Sequence, residues 1–260
     1  MLCRDVVERI ECVYPKSAAM GFDNVGLQAG RMDKEVHKIY LALDATEDVI
    51  QHAIESDVDM LITHHPLIFS PLKAVTDQDF VSRRILKMIQ NDISYYAMHT
   101  NYDVLGMADL AEQKLHLLDT EVLEETTDIF EKPAGIGRIG RMQKAMSLKE
   151  CCGFVKESLG LEHVKVFGDM EQIVERMAVS PGSGKSMITP AIMKEAEVLV
   201  TGDIGHHEGL DAVEQGLCVI DAGHYGTEYM FIADMAEFLT KAFPELEIKT
   251  EHTKMPFQIV

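Results

Sequence analysis

Short apolar runs alternate along this chain with amphipathic helical stretches, and this order constrains the fold more than any other feature. Val36–Asp44 (VHKIYLALD) reads as a strand, Glu47–Glu55 as a helix and Asp57–Thr63 (DVDMLIT) as a short buried strand. Asp79–Asn91 reads as a helix, Ile93–His99 (ISYYAMH) as a strand, and a further helix runs from Met107 to Leu117. An apolar run too short for a helix fits a strand covered on both faces. Strands of that kind joined by helices build mostly parallel sheets, because a parallel neighbour is reached only through a crossover. The N-terminus (MLCRDVVERIECVYP) carries Asp5, Glu8 and Glu11 among helically spaced apolar residues, so it reads as an amphipathic helix and not as a signal peptide.

Beyond residue 120 the pattern changes and then resumes. Thr120–Lys132 is acidic and Pro133–Gly140 (PAGIGRIG) is rich in glycine, which places an expected lobe boundary there, between 1–126 and 127–260, with no inserted third domain. The second half then reads as helix Ser147–Ser158, strand His163–Phe167, strand Glu175–Val179, a Gly-rich turn (SPGSGKS) and a helix through Ala196. Strands Glu197–Thr201 and Leu217–Asp221, a helix at Gly209–Glu214, a long helix Thr227–Lys241 and a closing strand in Glu247–Val260 complete it. The halves share a pattern. ITHH at 62–65 parallels VTGDIGHH at 200–207, and HTNYD at 99–103 parallels DAGHYGTE at 221–228. The expected fold is therefore α/β: two similar lobes with mostly parallel sheets, facing a shared cleft.

The 260 residues carry a net charge of −19, a field that repels phosphate backbones and disfavours nucleic acid as a partner. No apolar run approaches the length that crosses a bilayer, so no membrane partner is expected. Five cysteines without a CxxC fit reduced thiols and a cytoplasmic location.

His64 and His65 lie just beyond a buried strand, where ligand sites in open α/β sheets gather. Side chains of adjacent residues leave an extended backbone in opposite directions, so the pair suits two different ions; its other reading is a pair of exposed loop histidines. In HTNYD, an extended chain would put His99, Asn101 and Asp103 on one face, with Asp103 as a metal ligand and His99 as a proton carrier, the candidate catalytic residue. Asp103 also fits a helix cap. His224 and Glu228 stand four apart at a strand-to-helix turn, a spacing that makes a half-site for a divalent ion, or simply a capped helix start. Three imidazoles with two carboxylates suit Zn, Mn, Fe, Co or Ni and not calcium, and a carboxylate bridging two ions would polarise a trapped water for hydrolysis. SPGSGKS lacks the first glycine of a Walker loop, since Val179 stands there, and reads as a tight strand–helix turn able at most to bind an anion. His206 and His207 read as ordinary residues at a helix start, or as groups near the metals or substrate. Asp23 and Asn24 read as turn formers, or as a lining of the cleft.

Taken in order, GFDNVGLQAG (21–30), ITHHPLIF (62–69), HTNYDV (99–104), the GSG turn (182–184), TGDIGHH (201–207) and DAGHYGTE (221–228) resemble the Nif-three-like family, whose members are known as GTP cyclohydrolase I type 2 homologues. The resemblance spans nearly the whole chain. It departs at Phe22, where the family often has Trp. It implies two α/β lobes with a dinuclear metal site between them, ligands at His64, His65, Asp103, His224 and Glu228, and a toroidal homohexamer. Two functions follow as expectations. One is metal-dependent hydrolysis of a nucleotide or related small molecule, in the GTP case by attack of activated water at the purine C8. The other is non-catalytic metal handling or scaffolding.

Overall fold

The computed structural model describes residues 1–129, 131–252 and 255–259. The chain divides into two compact units: Met1–Tyr102 with Tyr229–Lys254, and Asp103–Glu228 with Met255–Val260. Each unit holds one sheet.

In the first unit the strands lie in the order Gly26–Ala29, Ser94–Ala97, Met60–Thr63, Lys38–Ala42, Glu247–Thr250. Gly26–Ala29 is antiparallel to its neighbour and the remaining pairs are parallel. The central strand, Met60–Thr63, is buried at every residue, as its unbroken apolar run requires. Helices Glu47–Glu55 and Phe80–Gln90 start at side-chain caps: Thr46 Oγ1 accepts from Val49 N at 3.2 Å and Asp79 Oδ1 from Ser82 N at 2.9 Å. Ile50, Ile85 and Met88 from these helices join Leu61, Tyr95 and Ala97 of the sheet in one core.

The second unit corrects two expectations. Its sheet runs Leu118–Ile129, Lys132–Ser147, Ile173–Ser183, Val198–Gly202, Cys218–Asp221, Lys165–Phe167. Only the pairs on either side of Val198–Gly202 are parallel, so this sheet is mixed and not mostly parallel. The acidic and glycine-rich segments expected to separate 1–126 from 127–260 are instead the two arms of a long antiparallel hairpin. Residue 126 lies inside its first arm, and the division between units falls at Tyr102/Asp103 and Glu228/Tyr229. Glycine signalled a loop here because it usually does. In this hairpin Gly135 serves close approach, since a Cβ there would lie 1.9 Å from the Glu124 carbonyl oxygen.

The closing strand expected in Glu247–Val260 is Glu247–Thr250, while residues 253, 254 and 260 lie outside the described residues. All five cysteines are free thiols. Among the described residues no helix is long and apolar enough to cross a membrane.

Just after that edge strand, the Glu251 carboxylate ties it to the first unit's helical layer. It accepts from Tyr40 Oη at 3.2 Å and meets His52 Nδ1 at 2.8 Å. The hydrogen bond and charge of Glu251 raise the His52 pKa above its ordinary 6.5. Burial opposes ionisation of Glu251, but the bond from His52 and its other donors outweigh it and lower the Glu251 pKa below 4.5. A raised histidine stabilises the fold below its unfolded pKa and loses that contribution as pH rises through its folded value. A lowered carboxylate stabilises above its unfolded pKa and loses that contribution on acidification. The pair is therefore expected to stabilise most between about pH 4.5 and 6.5. Urea midpoints of wild type and His52→Ala should differ most in that window and converge towards pH 9; a difference unchanged at pH 9 would contradict the assignment.

Candidate metal centre

The strand Met60–Thr63 ends at Thr63, and the chain turns at once through His64 and His65. Thr63 Oγ1 donates to the His65 carbonyl at 2.8 Å and Tyr95 Oη donates to the same oxygen at 3.1 Å, which fixes the turn. The backbone is no longer extended here, so the expectation that the two rings diverge to opposite faces fails. Their centres stand 4.9 Å apart.

Each ring is held at Nδ1. His64 is fully buried, with Nδ1 2.9 Å from the Met98 carbonyl oxygen, and His65 Nδ1 lies 2.8 Å from Asp44 Oδ1. His99 Nδ1 lies 2.9 Å from Asp23 Oδ1. The three rings each offer one nitrogen within 4.8 Å of the others. The first unit thus brings together His64, His65 and His99.

HTNYD does not stay extended, so Asn101 and Asp103 do not share a strand face with His99. Asn101 Oδ1 accepts from His99 N at 3.0 Å and its Nδ2 donates to the Tyr14 carbonyl at 2.9 Å. These bonds start a helical turn at Thr100–Tyr102 that runs on as a π-helical turn, Asp103–Met107, into helix Ala108–Lys114. Asp103 opens the second unit's main segment and Glu228 closes it.

In that unit His224 and Glu228 lie on one helical turn, His224–Glu228, as their spacing predicted. His224 Nε2 is 3.1 Å from Glu228 Oε2, and His224 Nδ1 is 2.7 Å from Asp203 Oδ2. A carboxylate oxygen of Asp103 lies within 4.8 Å of one of Glu228. Burial lowers the His224 pKa, but the bonds and charges of Glu228 and Asp203 prevail and push it up to about 9.

The Gly-rich turn has a packing role. A Cβ on Gly182 (φ +74°) would sit 2.2 Å from Glu228 Oε1, and one on Gly202 would sit 2.5 Å from His224 N. Gly182 N also donates to Thr227 Oγ1 at 2.9 Å. SPGSGKS is thus the floor on which the Glu228 carboxylate rests. His206 and His207 are exposed at the start of helix His206–Glu214.

Three residues were missed as site components: Asp44, Asp203 and, for its real role, Asp23. Each is the carboxylate behind a histidine. Their signal in sequence was weak, an Asp just past a strand in LALD and TGD and an Asp in a turn before one. Asp23 is the most engaged. Its side chain is fully buried, and it accepts from His99 Nδ1, Thr100 N (2.9 Å), Thr100 Oγ1 (2.6 Å) and Asn24 N (2.8 Å). Burial alone would raise its pKa, but the bonds from His99 and Thr100 outweigh it and hold the pKa at about 2.

Mixed imidazole and carboxylate donors fit a borderline divalent ion, and the space above Gly182 admits the carboxylate that such an ion needs. In the metal-free protein, Asp203→Asn should lower the His224 pKa by a unit or more, of order 1 kcal/mol, by removing one of its two anionic neighbours. Histidine-selective NMR titration reads this directly, and an unmoved titration would show that Asp203 does not act on His224.

Residues 1–258 match the Duf34/NIF3 (NGG1p interacting factor 3) family profile. A Clostridium acetobutylicum relative, called GTP cyclohydrolase 1 type 2 homolog, is 36% identical over 249 residues, covering 95% of this chain and 92% of its own. One of the same name from Clostridium perfringens is 32% identical over 264 residues and covers 100% of both chains. Among solved structures, a Bacillus cereus protein related to NIF3 superposes with a TM-score of 0.91 at 26% identity, covering 100% of this chain and 99% of that one. Reduced HcgD from Methanocaldococcus jannaschii superposes with a TM-score of 0.82 at 32% identity, covering 96% and 97%.

Proposed function

The chain belongs to the Duf34/NIF3 family, and on that premise we propose that it is a dinuclear metal-dependent hydrolase acting on a nucleotide or related small molecule. The proposed ligands of the two divalent ions are His64, His65, Asp103, His224 and Glu228. The observation that carries this reading is the anchoring of His64, His65 and His224 at Nδ1 by a carbonyl or carboxylate oxygen. An imidazole that donates through Nδ1 presents its lone pair at Nε2, which is how metal-binding histidines are commonly oriented. Such ions, when bound, supply Lewis acidity and activation of water.

The chain's own residues supply the rest. Glu228 is buried, so its charge acts in a medium of low polarisability. Beside the histidine set of the first unit, Phe22 and Phe69 are 65% and 51% exposed, with ring centres 6.3 Å apart. The Phe69 ring centre is 6.4 Å from that of His99. Asn24 Nδ2 and Gln28 Nε2 donate to the carbonyl of Ile68, next to Phe69, at 2.5 and 3.4 Å. The two rings are tilted 49° to each other, and either exposed face can stack against a planar heteroaromatic ring. The name carried by the relatives makes GTP the first substrate to test.

Metal analysis should find two ions per chain in protein titrated with zinc, manganese or iron, and fewer in Glu228→Ala and in Gly182→Ala. Fewer than one ion in the wild type, with no gain on titration, would sink the proposal. Incubation of the loaded protein with GTP should release formate or a pterin-type product above a Glu228→Ala control. No turnover across a broad metabolite panel, together with transfer of the ion to an acceptor protein, would favour metal handling instead. The proposal extends to a cytoplasmic homohexamer, for which sedimentation should give a hexamer's mass; a monomer would count against it.

A further inference from the structure

We propose that Phe22 and Phe69 form a subsite for the planar heteroaromatic ring of a substrate, and that Gln28 is the positioning residue that holds Phe69 in it. The inference deepens the reading of the site as one for a nucleotide or related small molecule, and it rests on that reading.

The first ground is a break in strand register. Gly26–Ala29 is the edge strand of its sheet, and against Ser94–Ala97 it pairs Leu27 with Tyr96 and then Ala29 with Tyr95. Gln28 is therefore the extra residue of a β-bulge. A bulge turns a side chain away from the direction that strict alternation would give it, and bulges gather at sheet edges and beside functional sites. Here the Gln28 amide meets the residue that precedes Phe69. Its Oε1 accepts from Ile68 N at 2.9 Å and its Nε2 donates to Ile68 O at 3.4 Å. The side chain thus does for Ile68 what a neighbouring strand would do. Nε2 also donates to Asn24 O at 2.6 Å, so both ends of the amide are committed and its orientation is set.

The second ground is what lies on either side of Phe69. Every residue from Phe69 to Phe80 is exposed, and helix Phe80–Gln90 is the next regular element. A ring at the start of such a segment is only as fixed as the backbone that enters it. That backbone is tied twice in succession, Leu67 N donating to Tyr95 Oη at 2.9 Å and Ile68 N to Gln28. Ile68 O takes two further bonds, from Gln28 and from Asn24 Nδ2. Three side-chain bonds on one residue are more than a simple connector needs. The same network reaches the histidines, because Asn24 N donates at 2.8 Å to Asp23 Oδ1, the oxygen that lies 2.9 Å from His99 Nδ1.

The third ground is the chemistry of the two rings. Both are exposed side by side, which forgoes the burial that large apolar groups gain on folding. Their centres are 6.3 Å apart, within the range of about 4.5–7 Å at which aromatic groups contact one another in offset or tilted pairs. A third ring lying on the face of one meets the other at an angle, so both contribute to holding it. Stacking needs a π face and tolerates its substituents, which selects a heteroaromatic ring over a sugar or a simple phosphate. With a net charge of −19 the chain attracts no phosphate at long range, and recognition falls to the ring.

NMR of the full-length protein, prepared without added metal and with ¹³C-labelled phenylalanine rings, tests this with guanosine monophosphate and ribose 5-phosphate as probes. The guanine H8 should give NOEs to two phenylalanine rings, one set lost in Phe22→Leu and the other in Phe69→Leu. Ribose 5-phosphate should bind more weakly by roughly fivefold or more, the order expected for one stacked base. Gln28→Met should weaken guanosine monophosphate by roughly fivefold and raise the mobility of the Phe69 ring in relaxation measurements, with the affinity for ribose 5-phosphate unchanged. Equal affinity for the two probes, or no NOE to either ring, would overturn the subsite. A Phe69 ring or a guanosine monophosphate affinity left unchanged by Gln28→Met would overturn the role of Gln28. Ring contacts in a protein that takes up no metal on titration would sink the metal reading alone, and metal uptake without ring contacts would sink this inference alone. The wild-type NOEs and the comparison of probes need no variant, so a misfolded mutant does not decide the outcome.

Discussion

An imidazole is directed through one nitrogen only when the other is held, and the four histidines gathered in these two sites are all held at Nδ1. Met98 O, Asp44, Asp23 and Asp203 lie 2.7–2.9 Å from His64, His65, His99 and His224. Each such bond sets a tautomer and a ring plane together. A histidine on a flexible loop would lose side-chain entropy on meeting an ion; these rings have lost it on folding. Replacing Asp23, Asp44 or Asp203 would leave the imidazole in place and remove what orients it.

The acceptors can be there because of where the strands stop. His64 and His65 follow Met60–Thr63, whose parallel neighbours are Lys38–Ala42 and Ser94–Ala97. The chain beyond the first neighbour carries Asp44, and the chain beyond the second carries Met98 and His99. Three parallel strands ending level thus deliver rings and acceptors to one edge. In the other unit Val198–Gly202 and Cys218–Asp221 are also parallel, and Asp203 and His224 lie just beyond them. Asp221, itself buried, accepts from Ile204 N and Gly223 N at 3.0 Å and so fixes the backbone just after Asp203 and just before His224.

Much of this was legible in the chain because burial on both faces leaves an unambiguous trace. MLIT and VLVT have no polar face, and the ends of such strands are where His64 and His65 were sought. His224 and Glu228 were legible for a different reason, a spacing that only a helix makes meaningful. The second sheet was not. Its longest strands carry TEVLEETTDI and PAGIGRIG, one acidic on its exposed face and the other with glycines where backbones approach closely, and both read as loop. The carboxylates behind the histidines were obscured too, since Asp23 and His99 are 76 residues apart and nothing local links them. Contacts of that range follow from strand order, which local pattern leaves open. The turn at Thr100–Tyr102 was missed because its cause is one side chain, Asn101, bonding backward to His99 and across to Tyr14.

Charge explains why anchored imidazoles and buried carboxylates occur together. The chain carries a net −19, yet it buries Glu228 with an oxygen within 4.8 Å of one from Asp103. Two unit charges no farther apart than that repel by at least about 3.5 kcal/mol at an effective dielectric constant of 20. In the metal-free protein the protonated His224 ring offsets part of this, bonding Asp203 with one nitrogen and Glu228 with the other, and its pKa of about 9 reflects that role. That proton occupies Nε2, the lone pair a metal would take. An ion bound there would bring two positive charges in place of one and release the proton, so metal affinity on the proposed reading rises with pH as His224 loses its proton. The anion-rich pocket and its imidazolium are then two states of one design, in which the proton holds the place of the metal.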